Sequence, residues 1–279
     1  MNTVIENEDL VVLRSDQMLK RIITGLIALP IFVFFVLQGG LYIFVLTFFV
    51  ATIGLYEFYE ALKHKNIKSI NWLGYLSVLL IVVGIHFQFQ GLYFLSLLYI
   101  TSLVLLIFNL FSKKDHLVES AVTVLGIIYV GIGFSHFLLL DQLELPLLLF
   151  VPFLISWGTD TFAYFTGKFF GRKKLFPRVS PKKTIEGAIG GIIGSVLINY
   201  IFVYFFLKEI LAVIIIISFF GSVLSQVGDL VASKIKRTCN IKDFGYLLPG
   251  HGGILDRFDS SLVTIPFVYY CVYIFINLV

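Results

Sequence analysis

Charge is scarce in this chain: Asp, Glu, Lys and Arg make up 14% of its 279 residues, against about 25% in an ordinary soluble domain. That excludes a conventional soluble globular protein. Cysteine is nearly absent as well. The two that occur, Cys239 in a basic loop and Cys271 deep in the last apolar stretch, are expected at different depths, so they offer neither disulfide geometry nor metal-ligand spacing. There is no G-x-x-x-x-G-K-[ST], no G-x-G-x-x-G behind a strand and no G-x-S-x-G, which excludes the familiar soluble nucleotide and hydrolase sites. No long repeat and no low-complexity tract occurs. A cleaved signal peptide is not expected either, because Glu6, Glu8, Asp9 and Asp16 spoil a basic leader and no small-residue cleavage site follows the first apolar run. That run reads as a retained span.

Apolar residues are what the chain has in plenty, at 58%. A helix needs about 20 mostly apolar residues to cross a hydrocarbon core. Nine stretches qualify, near 21–38, 41–61, 70–87, 92–111, 118–140, 146–167, 185–206, 210–232 and 255–278. The expected fold is therefore all-α, a polytopic integral membrane protein of about nine transmembrane helices. Orientation follows from the basic residues of successive connections. With nine spans, all but Lys208 of the 21 Lys and Arg residues fall on one side, which predicts a cytoplasmic amino terminus and a carboxyl terminus outside. Losing or adding one span would scramble this alternation.

The organisation divides in three: a cytoplasmic segment 1–20, scaffold helices over 21–140 with tight outer turns, and a working half over 141–279. The amino-terminal segment, with Leu10 to Leu13 among acids, reads as a short surface helix or as disordered. Polar residues enter the spans from Leu145 onward. Ser156, Asp160 and Tyr164 share one stripe of the sixth span; Ser222, Ser225, Gln226, Asp229 and Ser233 share a face of the eighth; Asp256, Ser260 and Thr264 share one in the ninth. Charged groups at mid-bilayer cost at least about 2.5–3.5 kcal/mol each, so the three seams are expected to face one another. In the seventh span Gly187 with Gly191, and Gly190 with Gly194, form interleaved G-x-x-x-G pairs, read as close helix packing.

Chemistry-bearing residues cluster before the seventh span and between the eighth and ninth. Ser180 is expected to cap the seventh helix, with Pro181 as its first residue. Lys182, Lys183 and the Thr184 hydroxyl would then stand beside a positive helix end that attracts anions. Asp229, late in the eighth span, and Asp256, early in the ninth, flank one connection and so reach the same membrane depth. Two hard oxygen ligands there suit Mg²⁺, which keeps further positions for water and phosphate; ion pairs such as Asp229 with Lys236 or Asp256 with Arg257 are the alternative. Gly250, Gly252 and Gly253 around His251 allow a turn whose N–H groups converge on an anion. His251 reads as a phosphate donor, with a general acid to a leaving group or a plain loop histidine as the alternatives, His64 and His116 as loop residues, His86 and His136 as residues near outer span ends. Glu57 and Glu60 read as interfacial residues near Lys63.

The run Ser233-Lys-Ile-Lys-Arg237, then Lys242-Asp243-Phe-Gly245, then Leu248-Pro249-Gly-His251-Gly-Gly-Ile254-Leu-Asp256-Arg257-Phe-Asp259 resembles the signature of the phosphatidate cytidylyltransferases, or CDP-diacylglycerol synthases, without departure over its 27 positions. The likeness extends upstream through Trp157, Asp160, Ala163-Tyr164, Gly167, Phe170-Gly171 and Ser180–Gly187. It implies transfer of a cytidylyl group from CTP to phosphatidic acid, giving CDP-diacylglycerol and pyrophosphate, with Mg²⁺ required. It further implies an integral protein of a bacterial-type inner (plasma) membrane, worked from the cytoplasmic face. On that resemblance Asp229 and Asp256 are assigned to the metal. Lys236, Arg237, Lys242 and Arg257, with Lys182 and Lys183, are assigned to the phosphates, and Gly252 and Gly253 to backbone donation. Asp160, Asp243 and Asp259 would orient the basic residues or help a second cation. No nucleic-acid partner is expected, and a homodimer is left open. Two rivals remain at this level: a polyprenol kinase, which would want a positioned base for a neutral hydroxyl, and a transporter that uses Asp160 and Asp229 for coupling ions.

Overall fold

The computed structural model describes residues 22–89 and 91–278; the expected amino-terminal surface segment lies outside the described residues. The chain is almost entirely helical. In order it forms α1 (Ile22–Gln38), α2 (Gly40–Lys63), α3 (Asn71–His86), α4 (Gly91–Phe111), α5 (Leu117–Gly126), α6 (Gly133–Asp141), α7 (Val151–Phe170), α8 (Ile185–Phe206), α9 (Leu211–Thr238), α10 (Leu255–Phe258) and α11 (Ser261–Leu278). A π-helical turn over Ile127–Ile132 joins α5 to α6 in one continuous rod. The one sheet among the described residues is a hairpin, β1 (Lys174–Phe176) against β2 (Ser180–Thr184).

Among the described residues seven helical segments are long and apolar enough to cross a membrane, and α1 and α3 are shorter apolar helices. Each of the nine expected stretches is thus helical, but the last is not continuous from 255. Leu255–Phe258 forms its own turn, and the long helix begins at Ser261. Asp256 and Asp259 therefore stand in a link at the end of the bundle.

The three polar seams do face one another. Ser156 Oγ on α7 lies 2.8 Å from Thr264 Oγ1 on α11, and Thr159 on α7 donates to Ser222 on α9 at 2.8 Å. The glycines of α8 press on α7: a Cβ at Gly187 would stand 2.8 Å from the Ala163 carbonyl, and one at Gly191 2.9 Å from that of Thr159. Backbones meet there because no side chain intervenes. The scaffold half packs on a cluster of rings. Phe153 of α7 touches Phe32 of α1, Phe137 of α6 and Phe258 of α10, with centroids 4.7, 5.2 and 5.9 Å away. Phe258 belongs to the signature run, so this cluster ties the link to the scaffold.

The start of α8 differs from expectation. Its cap is Thr184, with extended backbone (φ −124°, ψ 157°) and Oγ1 accepting from Gly187 N at 3.1 Å. Ser180 and Pro181 lie in β2 instead. The residue before a proline favours extended backbone, and a proline fits the edge of a two-stranded hairpin. Glu186, in the first turn of α8, accepts from the N–H groups of Arg172 and Lys173 at 3.0 and 3.2 Å and so fixes the root of the hairpin.

Candidate active site

A cavity of about 420 Å³ opens at the end of the bundle where α7 and α9 finish and α8 begins. From α7 it takes Asp160 and Tyr164; from β2, Ser180, Lys182, Lys183 and Thr184; from α9, Gln226, Asp229, Ser233 and Lys236; from the connection beyond, Asp243, Asp256, Arg257 and Asp259. Most of the residues singled out in the sequence thus meet on one wall. Arg237, Lys242, His251, Gly252 and Gly253 are not on it.

The carboxylates divide into two sets. Asp256 is held from several sides: Lys236 Nζ reaches Oδ1 at 2.8 Å, while Phe244 N and Gly253 N donate to Oδ2 at 2.7 and 3.0 Å. Lys236 also stands 3.8 Å from Asp259 Oδ2 and 5.2 Å from the centre of the Phe244 ring. Asp229 is paired with Lys183. Both acids are in ion pairs, but with partners other than those the sequence suggested: Lys183 arrives from the hairpin, and Lys236 bridges Asp256 and Asp259. Asp160, Asp229 and Asp259 stand near enough to repel one another, with Lys183 and Arg257 also in reach of Asp160. Burial first, then the neighbouring Asp229, raises the pKa of the Asp259 carboxyl above the ordinary carboxylate range. Among the described residues no group of three or more His, Cys, Asp or Glu side chains is arranged to hold a metal ion.

The glycine turn also differs from expectation. Gly250 and Gly252 do adopt positive φ, at 76° and 84°, which only glycine takes without strain. Yet four N–H groups of the turn and the residues after it are taken within the protein. His251 N donates to the Leu248 carbonyl, Gly253 N to Asp256, and Ile254 N and Leu255 N to Glu57. Three of these N–H groups are held by the protein's own carboxylates.

Glu57 is the residue that sequence reasoning missed. It does not stand beside Lys63 at the surface: it is 3% exposed and reaches the signature run from α2. Its only signal was an acid within an apolar helix. Tyr129, on the π-helical turn, is a second contributor from the scaffold. Its hydroxyl is buried without a hydrogen-bond partner among the described residues and lies within electrostatic reach of Asp259 and Asp229. Single π-turns recur at functional sites because they rotate a side chain out of helical register.

Comparison with known proteins gives the family. Residues 19–275 match the model of the cytidylyltransferase family; the chain belongs to that family, a class of nucleotidyltransferases. It is 35% identical over 270 residues to the phosphatidate cytidylyltransferase of Bacillus subtilis, covering 93% of this chain and 99% of that one. The phosphatidate cytidylyltransferase of Staphylococcus epidermidis is 38% identical over 256 residues, with 88% and 95% covered. That of Staphylococcus aureus is 37% identical over the same length.

Proposed function

We propose that the chain transfers a cytidylyl group from CTP to phosphatidic acid, giving CDP-diacylglycerol and pyrophosphate. The observation that carries this reading is the cavity wall, where five carboxylates and four cations gather at the end of a membrane-type bundle. An oxygen of the lipid phosphate attacks the α-phosphorus of CTP, and the bond from that phosphorus to the β-phosphate oxygen breaks. The nucleophile is already anionic, so no side-chain base is needed. The difficulty is bringing two polyanions together, and catalysis then rests on neutralisation and in-line positioning. Lys182, Lys183, Lys236 and Arg257 take the phosphates. Arg237 and Lys242, off the wall, add positive potential at longer range.

Five carboxylates would repel such substrates unless a cation stood between them. The donor set suits Mg²⁺, which uses one or two carboxylates and leaves other positions to water and phosphate, so a three-acid cage is not required. Asp229 and Asp256 would hold it, with Asp160, Asp243 and Asp259 orienting the basic residues or serving a second cation. Bound there, it would supply charge neutralisation to the CTP phosphates and the departing pyrophosphate. Lys183 and Lys236, now paired with Asp229 and Asp256, would be released towards the phosphates.

The distribution of basic residues supports nine spans, with the amino terminus and the site on the cytoplasmic side of an inner membrane. CTP then arrives from water while phosphatidate keeps its acyl chains in the bilayer. The test is transfer of radiolabel into lipid by membranes holding the protein, with phosphatidate, with and without Mg²⁺. Label from the α-phosphate of CTP reaching lipid supports the reading. Label from the γ-phosphate overturns it for a kinase, and solute uptake by reconstituted vesicles without CTP overturns it for a transporter.

A further inference from the structure

Glu57 sits near the end of α2, buried in a helix otherwise given to apolar packing. Its two carboxylate oxygens are used separately: Oε1 accepts from Ile254 N at 3.0 Å and Oε2 from Leu255 N at 2.7 Å. Gly245 and Gly253 close around it, since a Cβ on either would fall onto the same carboxylate. One residue further on, Asp256 takes the N–H of Gly253. Three successive N–H groups, from 253 to 255, are thus held by two acids that come from opposite ends of the chain. No Lys, Arg or His forms a salt bridge with Glu57 among the described residues. A buried carboxylate is costly unless it is well hydrogen-bonded, and charge-assisted bonds to two adjacent amides fix both the position and the rotation of the turn.

We infer that Glu57 is a positioning residue: it holds the turn before Asp256 and Arg257 so that both side chains face the cavity. This rests on the cytidylyl-transfer reading. Glu57 does not line the cavity, and it acts through the backbone of Ile254 and Leu255. A displacement of about 1 Å in such a segment is enough to lower turnover by about 10²-fold.

The test compares the native protein with Glu57→Gln and Glu57→Asp, each purified in detergent. Glutamine offers one acceptor oxygen and turns its amide NH2, a donor, towards the second N–H; aspartate keeps both acceptors on a shorter arm. The expected result for Glu57→Gln is a kcat lower by about 10²-fold, an almost unchanged KM for CTP, and faster tryptic cleavage at Lys242 and Arg257 with little change in thermal midpoint. Glu57→Asp should recover part of kcat and part of the resistance to cleavage. A Glu57→Gln protein with native kcat and native cleavage overturns the inference, as does Glu57→Asp no better than Glu57→Gln. Failure of both variants to accumulate as folded protein also overturns it, in favour of a purely architectural role. A native protein inactive on CTP and phosphatidate would refute the functional reading instead, and the cleavage comparison would still decide the role of Glu57.

Discussion

Lys236 Nζ stands 2.8 Å from Asp256 Oδ1 and 3.8 Å from Asp259 Oδ2, so one lysine serves as counter-charge to two acids of the signature run. The side chains are 13%, 3% and 10% exposed respectively, so water does little to screen them. Removing one partner of a buried pair costs about 3–5 kcal/mol, because the other charge is left uncompensated. Lys236→Met is therefore expected to lose both activity and stability. Thermal unfolding in detergent beside a cytidylyl-transfer assay checks this; native stability would show that the pair is not a structural tie.

Asp229→Asn and Asp256→Asn should each lower turnover by about 10²–10³-fold or more while the protein remains inserted and folded. Chelation should silence the native protein, and Mg²⁺ should restore it. The two variants ought to differ in one respect. Asp256 anchors two backbone amides, whereas Asp229 pairs with the Lys183 side chain, so Asp256→Asn should also loosen the loop to proteolysis. Near-native activity in either variant with Mg²⁺ would remove that acid from the metal assignment.

Thr184, and not Ser180, caps α8. Thr184→Val should cost about 1 kcal/mol of stability through the lost cap, and Thr184→Ser should keep it. Ser180→Ala should leave stability unchanged. Melting curves of the three purified variants check the ranking.

Gly194 of α8 faces the Phe162 ring so closely that an added methyl overlaps it, whereas a methyl at Gly25 of α1 meets nothing within 4 Å. Gly194→Ala is expected to destabilise by about 1–3 kcal/mol through overpacking, and Gly25→Ala to be neutral. Comparison of their thermal midpoints decides it.

Much of this site was legible in the sequence, for identifiable reasons. Helical spacing put Ser156 and Asp160 on the face of α7 that meets Thr264 and Asp229, because polar groups in an apolar helix must seek one another; Thr159, which meets Ser222, was not singled out. The G-x-x-x-G pairs of α8 announced a close helix contact in the same way, and the structure gives α7 as the partner. What stayed hidden depends on distance along the chain. The partner of Asp229 is Lys183 from the hairpin, and nothing local distinguishes it from Lys236. Ser180-Pro181 carried a good local cap signal, but pairing with β1 won. Glu57 resembled any acid near a membrane surface, since the backbone it binds lies in another half of the protein.

The contact between Glu57 and Leu255 joins residues separated by 198 positions. At ribosomal rates of roughly 5–20 residues per second, about 10–40 s elapse between synthesis of the two. During that interval α2 would already be made with its acid awaiting a partner, and the nascent polypeptide would have no competent centre. Catalytic power would then arise only at the end of translation, when the final helix docks, so chains released prematurely should be inert towards nucleotide.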